Sequence, residues 1–254
     1  MRALYAAASG MSVQQTQLET VANNIANVGT TAFKANDAAF EDLFYQELTN
    51  GGKAAGAAGM SVGAGARLSS LEKDHSQGSI SQTGNALHVA IQGHGYLEVT
   101  TPDGESLYTR DGRFTLDADG TLMVPSGLPV AGNIMIPSDA NSLEITKDGT
   151  VRAVLPGDIQ PTVLGQLEVV DFTNRGGLRA MGGNMYQQSA QSGEASVVEM
   201  TPGNGLQQGF LEDSNVDIAS ELVKMILTQR AYELNSKVVQ AADETLQVAV
   251  NLRR

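Results

Sequence analysis

Apolar residues recur every seventh position at both ends of the chain. Near the start, Leu4, Met11, Leu18 and Ile25 form one row, and Ala8, Gln15 and Ala22 fall four residues after its first three members. Alternating steps of four and three keep side chains on one face of a helix, so the pattern predicts a helix with an a/d stripe of about three and a half heptads. At the other end Ile218, Met225, Tyr232, Val239 and Leu246 form the row. Leu222 and Val250 occupy the companion position, which Gln229, Ser236 and Asp243 interrupt. A second stripe of Val223, Leu227, Leu234, Val238 and Ala241 makes this segment apolar on more than one side. No Gly or Pro lies between Ser214 and Arg254, and Ser214 or Asn215 supplies a cap. With Asp217 and Glu221 at the positive end, a single helix of about 38 residues is predicted.

Between the ends the texture is that of strands and turns. Asp-Gly occurs at Asp103-Gly104, Asp111-Gly112, Asp119-Gly120 and Asp148-Gly149, each between candidate strands such as Tyr96-Leu97-Glu98-Val99 and Leu107-Tyr108-Thr109-Arg110. Gly accepts the positive φ of a primed turn, so Asp-Gly between alternating residues signals a hairpin. Thr49 to Ala66 is rich in Gly and Ala and reads as a mobile or partner-ordered loop; Asn174 to Asn184 is a second Gly-rich stretch with little to pack. The expected fold is α+β. Residues 1–36 with 214–254 are expected to form a discontinuous coiled-coil core domain of long terminal helices. Residues 37–75 form an extended connecting arm and Gly/Ala-rich loop, and 76–213 an inserted β-rich outer domain.

Charge sharpens this picture. The 254 residues carry 16 Lys and Arg against 28 Asp and Glu, a net charge of -12 that repels phosphate and argues against nucleic-acid binding. Apart from Arg2 and Glu19, no residue before Lys34 is charged, although a helix facing water normally carries charge. Such a helix is suited to being covered on several sides. Two readings remain: a helical hairpin within one chain, and axial assembly of many copies. The uncharged first helix and the several apolar faces of the last favour assembly. No run is long and apolar enough for membrane insertion, and no cleaved signal peptide is expected.

No residues are assigned to catalysis, cofactor binding or metal binding. With no Cys, disulfides and thiolate chemistry are excluded. His75, His88 and His94 have no ligand-spaced companions. Asp117-Ala118-Asp119-Gly120 begins like a calcium loop but lacks the rest of the ligand series, so it reads as a β-turn. Gly93-His94-Gly95 and the glycines from Gly59 to Gly65 lie in no βαβ unit. The carboxylate pairs Glu212-Asp213 and Asp243-Glu244 are expected to serve helix capping and solvation.

Three ordered blocks resemble the flagellar axial family of rod and hook proteins, on its distal-rod branch. The first is Leu4-Tyr5-Ala6-Ala7-Ala8-Ser9-Gly10-Met11, then Asn23-Asn24-Ile25-Ala26-Asn27-Val28 and Thr30-Thr31-Ala32-Phe33-Lys34. The second runs through Thr83-Gly84-Asn85, Ala90-Ile91-Gln92-Gly93-His94-Gly95-Tyr96 and Tyr108-Thr109-Arg110-Asp111-Gly112-Arg113-Phe114. The third is Leu206-Gln207-Gln208-Gly209-Phe210-Leu211-Glu212, Ser214-Asn215-Val216-Asp217 and Gln229-Arg230-Ala231-Tyr232-Glu233-Leu234-Asn235. Members of that family usually have Asn where this chain has Gly29, Gly where it has Ala32 and Asp where it has His88; the first two changes fall in a tight bend after the first helix.

The resemblance implies a structural subunit and no enzyme. It would stack helically into a hollow shaft that carries torque to the hook, with a proximal rod or hook subunit as the alternative. Its implied partners are further copies of itself, proximal rod proteins, the hook protein, the outer-membrane and peptidoglycan ring proteins, and the flagellar export apparatus. The implied location is the periplasm-spanning rod of the basal body. The expected assembly interface is Leu4, Met11, Leu18 and Ile25 with Ile218, Leu222, Met225, Tyr232, Val239 and Leu246.

Overall fold

The computed structural model describes residues 2–48, 60–157, 160–201 and 203–251. It divides into two compact units: Met1–Ala26, Asn36–Asp74 and Asp217–Arg254 make a helical unit, and Asn27–Ala35 with His75–Val216 make a β body.

The β body is organised by a six-stranded antiparallel sheet. Its strands run in the order Arg179–Gly182, Met185–Gln187, Ser106–Thr109, Tyr96–Thr100, Val169–Asp171 and Ser196–Val197. Side chains alternate between the two faces of a strand, and both faces here are covered. Leu97, Val99, Leu107 and Val169 enter the main core with Val89, Ile91, Phe114 and Leu122. Tyr96, Tyr108, Val170 and Tyr186 point the other way and pack with Phe172. The rings meet edge to face, with Tyr108 and Phe172 centroids 4.8 Å apart and Tyr96 and Tyr186 5.5 Å apart. A three-stranded sheet of Ser142–Ile145, Thr150–Val154 and Thr162–Gln166 adds Ile145 and Val151 to the main core. Three strand pairs among the described residues complete the body: Thr115–Leu116 with Leu122–Met123, Val89–Gln92 with Gly205–Gln208, and Ile80–Gln82 with Phe210–Glu212.

Asp-Gly turns close three hairpins, at Gly104, Gly120 and Gly149. Asp111-Gly112 closes none. There the backbone of Val89 passes so near that a Cβ on Gly112 would sit 1.6 Å from the Val89 carbonyl oxygen, so this glycine serves close approach. The Gly-rich segment Asn174 to Asn184 is also more ordered than expected, supplying the 3-10 turn Arg175–Gly177 and an edge strand of the main sheet.

In the helical unit, α1 (Arg2–Ala26) and α2 (Ile218–Asn251) are the two α-helices among the described residues. None is long and apolar enough to cross a membrane. α2 begins later than the sequence suggests because Asp217 is its cap: its carboxylate accepts the N–H groups of Ala219 and Ser220 at 3.3 and 3.2 Å. Asn36–Asp42 pairs with Ala66–Lys73, and Tyr45–Leu48 with Met60–Gly63, as successive antiparallel pairs of one long hairpin. Part of the expected Gly/Ala-rich loop is therefore strand; residues 49–59 lie outside the described residues.

The expected fold class needs correction. Among the described residues strand outweighs helix, 34% to 26%, and no terminal coiled-coil core is formed. The cores lie in the β body. On α1 the buried residues are Ala7, Thr20, Val21 and Asn24, whereas Leu4, Met11, Leu18 and Ile25 are only partly covered and Ala8, Gln15 and Ala22 are exposed. The inward line is displaced by one residue, about 100° around the helix, from the expected a/d stripe. Apart from the buried Val21 it is small or polar, with Ala7, Gly10, Gln17 and Asn24 in place of interlocking Leu and Ile.

Candidate assembly surface and the polar hub of the β body

α2 turns most of its apolar side chains outward. Ile218, Leu222, Val223, Ile226, Leu227, Tyr232, Leu234, Val238 and Leu246 are all exposed, Leu227 at 64%. Of the interface residues expected on α2, Met225 and Val239 are partly covered, and Ile218, Leu222, Tyr232 and Leu246 are open. The inward face instead carries Glu221 and Thr228, both buried. The hairpin of the same unit also exposes Phe40, Phe44, Leu68 and Leu71.

Polar bonds help to join α1 and α2. The Asn24 side-chain nitrogen donates to Glu221 Oε2 at 3.3 Å and to the Asn36 carbonyl at 2.9 Å, while Asn24 Oδ1 accepts the Asn36 N–H at 2.9 Å. Asn23 Oδ1 accepts from the Asn36 side chain at 3.2 Å. Glu221 also receives Lys224 Nζ at 2.9 Å, a bond that holds the lysine pKa above its usual value. Further along, Gly10 faces Asn235 so closely that a Cβ would lie 2.9 Å from the amide nitrogen. Gln229 is exposed, and Arg230 pairs with Glu233 at 2.9 Å on the helix surface. Family-motif residues of α2 thus divide between the helix contact, Asn235, and solvent, Gln229, Arg230, Tyr232 and Glu233.

The remaining motifs converge in the β body. Lys34 Nζ lies 2.6 Å from Glu212 Oε1, and Arg110 Nε 2.8 Å from Glu212 Oε2. Exposure of the three side chains is 0% for Lys34 and Glu212 and 3% for Arg110. Two cations therefore share one carboxylate, and the surplus charge is spread over carbonyl dipoles. Arg110 donates to Gly95 at 2.8 Å, Gly93 at 3.1 Å and Ile91 at 3.4 Å, and Lys34 donates to Ser76. The Gly78 N–H completes the shell of Glu212 at 2.9 Å. A buried ion network is tolerable only when fully hydrogen-bonded in this way.

The segment 27–35 crosses this body as a strap. Asn27 Oδ1 accepts from Thr30 Oγ1 at 3.2 Å, Asn184 donates to the Thr31 carbonyl at 2.7 Å, and the Ala32 N–H donates to the Glu212 carbonyl at 2.8 Å. Phe33 is buried beside Lys34. Ala32 has φ of 57°, left-handed backbone, at the position where the family usually has Gly; Gly29 has no positive φ and open space around it.

Sequence reasoning placed Glu212 at a helix entrance; it sits on the strand Phe210–Glu212 as the hub's anion. The available signal was Lys34 itself, the first cation after a long uncharged stretch. The Gly84 N–H donates to the Gly209 carbonyl at 3.1 Å, and Asn85 caps its own turn through the Leu87 N–H at 3.0 Å. His88, where the family usually has Asp, bonds Thr83 Oγ1 at 2.8 Å and faces the Asn85 amide at 3.3 Å. His75 Nδ1 hydrogen-bonds the Tyr96 hydroxyl at 2.7 Å, and His94 bonds Arg175 at 3.2 Å. Among the described residues no group of His, Asp or Glu is arranged to hold a metal.

A β body with cores of its own, joined to helices with uncovered apolar faces, defines a subunit built for packing among others. Three segments match family profiles: residues 4–34 the flagella basal body rod protein, 90–153 the D1 domain of the flagellar hook protein FlgE/F/G, and 207–252 the C-terminal region of flagellar basal body rod FlgEFG proteins. The chain is 44% identical to the flagellar basal-body rod protein FlgG of Buchnera aphidicola from Acyrthosiphon pisum, over 96% of each chain. It is 41% identical to FlgG of Bacillus subtilis, over all of each chain, and 31% identical to that organism's flagellar hook-basal body complex protein FlhP, again over all of each chain. The chain belongs to the flagellar basal-body rod protein family. It is a structural subunit of the flagellar rod.

Proposed function

We propose that this chain forms the distal part of the rod, repeated helically into a hollow shaft that carries motor torque to the hook. The observation that carries this reading is the outward apolar side of α2. Each buried Å² of apolar surface stabilises by about 25 cal/mol, so side chains such as Leu222 and Leu227 gain only when neighbouring copies cover them. The distal assignment is supported by the higher identity to FlgG than to FlhP within one organism.

In this reading Leu4, Met11, Leu18 and Ile25 contact neighbouring subunits together with Ile218, Leu222, Met225, Tyr232, Val239 and Leu246. The other partners are proximal rod proteins, the hook protein, the surrounding outer-membrane and peptidoglycan rings, and the flagellar export apparatus. The test is replacement of the chromosomal gene by one encoding Leu222→Asp. Cells should export a subunit whose β body folds yet build no hook or filament. Normal flagella on those cells would contradict the reading.

A further inference from the structure

The chain passes between its two units four times, after Ala26, Ala35, Asp74 and Val216. Four bare peptide segments in parallel would transmit tension but little twist, because each retains free φ and ψ rotations. Here the segments are tied together on both sides. Within the β body, Asn215 Oδ1 accepts the Ala35 N–H at 2.8 Å, and its amide nitrogen donates to Ser76 Oγ at 3.1 Å and to the Ser76 carbonyl at 3.3 Å. Its backbone N–H donates to the Phe33 carbonyl at 3.3 Å. One residue therefore gathers three of the four crossings.

The helical unit repeats the device with different residues. Asn24 clasps both backbone groups of Asn36 at 2.9 Å and reaches Glu221 at 3.3 Å, and Lys73 Nζ donates to Asn36 Oδ1 at 2.9 Å. Residues 24, 36, 73 and 221 lie within five positions of the four crossings, one beside each. The bonds are directional and short-ranged, so each knot fixes the spacing of the chains at its own level without a large interface.

We infer that Asn215 and Asn24 are positioning residues that stiffen the junction through which load passes between the helical unit and the β body. This rests on the rod reading for its purpose, and on the bonds alone for its existence. Nothing in it requires the two units to share a packed surface. Asn is suited to the task because its amide presents donor and acceptor together.

Amide hydrogen exchange on the full-length monomer tests the junction. Asn215→Ala should speed exchange in the peptides covering 33–36 and 75–79 by about tenfold or more, while strands Val89–Gln92 and Tyr96–Thr100 keep their protection. Asn215→Asp, which retains the acceptor for Ala35, should leave Ala35 protected. Unchanged linker exchange, or equal loss of protection throughout the body, would overturn the inference. Failure of the unaltered gene to restore flagella to a strain lacking it would instead refute the rod reading.

Discussion

Lys34 Nζ sits 2.6 Å from Glu212 Oε1, with both side chains wholly withdrawn from solvent, although 178 positions separate them in sequence. A residue of the N-terminal strap thereby closes the ion network of a body whose strands come much later in the chain. Since Arg110 shares the same carboxylate, the consequences of removing each member differ.

Glu212→Gln would leave two buried cations without an anion and should cost about 3–5 kcal/mol. Lys34→Met removes one of the two cations, leaves the Arg110 pair intact and leaves the Ser76 carbonyl to the Asn215 amide, so a smaller loss of about 1–3 kcal/mol is expected. Urea unfolding of the full-length monomer checks the order. A Lys34→Met chain less stable than Glu212→Gln would mean that the surplus charge is neutralised elsewhere.

Ala32 occupies left-handed backbone, which costs a non-Gly residue roughly 1–2 kcal/mol. Ala32→Gly relieves that strain but loses a buried methyl worth about 0.8 kcal/mol and adds unfolded-state freedom. The net change should stay within about 1 kcal/mol. Ala32→Val, β-branched and buried, should destabilise by at least about 2 kcal/mol. Thermal unfolding of the two variants separates these outcomes.

Burial pushes the Tyr186 hydroxyl up to about 12; Arg110 pulls it down and Glu212 adds a smaller upward push. The unfolded chain ionises this tyrosine near 10, so its contribution is fully present below pH 10 and is lost as pH rises toward 12. Denaturation midpoints measured from pH 9 upward should fall across that window, and Tyr186→Phe should flatten the fall. An equal alkaline loss in the variant would place its origin elsewhere.

Periodicity was most informative where structure is local. The helices, the hairpins at Gly104, Gly120 and Gly149 and the central strands follow from spacing and turn chemistry. The face of each helix did not. The expected stripe on α1 followed its larger apolar residues, while the structure turns Ala7, Gly10 and Asn24 inward, because α1 and α2 meet through a clasp and a close approach. Leu222 and Leu227 stay exposed within the single chain, and hydrophobicity alone does not separate a face proposed for neighbouring copies from a seam within one chain. The hub was illegible for another reason: its charges are scattered between positions 34 and 212, and only folding unites them.

The most direct measurement is electron microscopy of the purified chain at rising concentration, alone and as Tyr232→Asp or Leu227→Asp. The account predicts helical tubes from the unaltered chain, and from both variants only monomers with unchanged unfolding midpoints for the β body. Tubes formed equally well by the variants would show that the outward face of α2 is not the assembly surface.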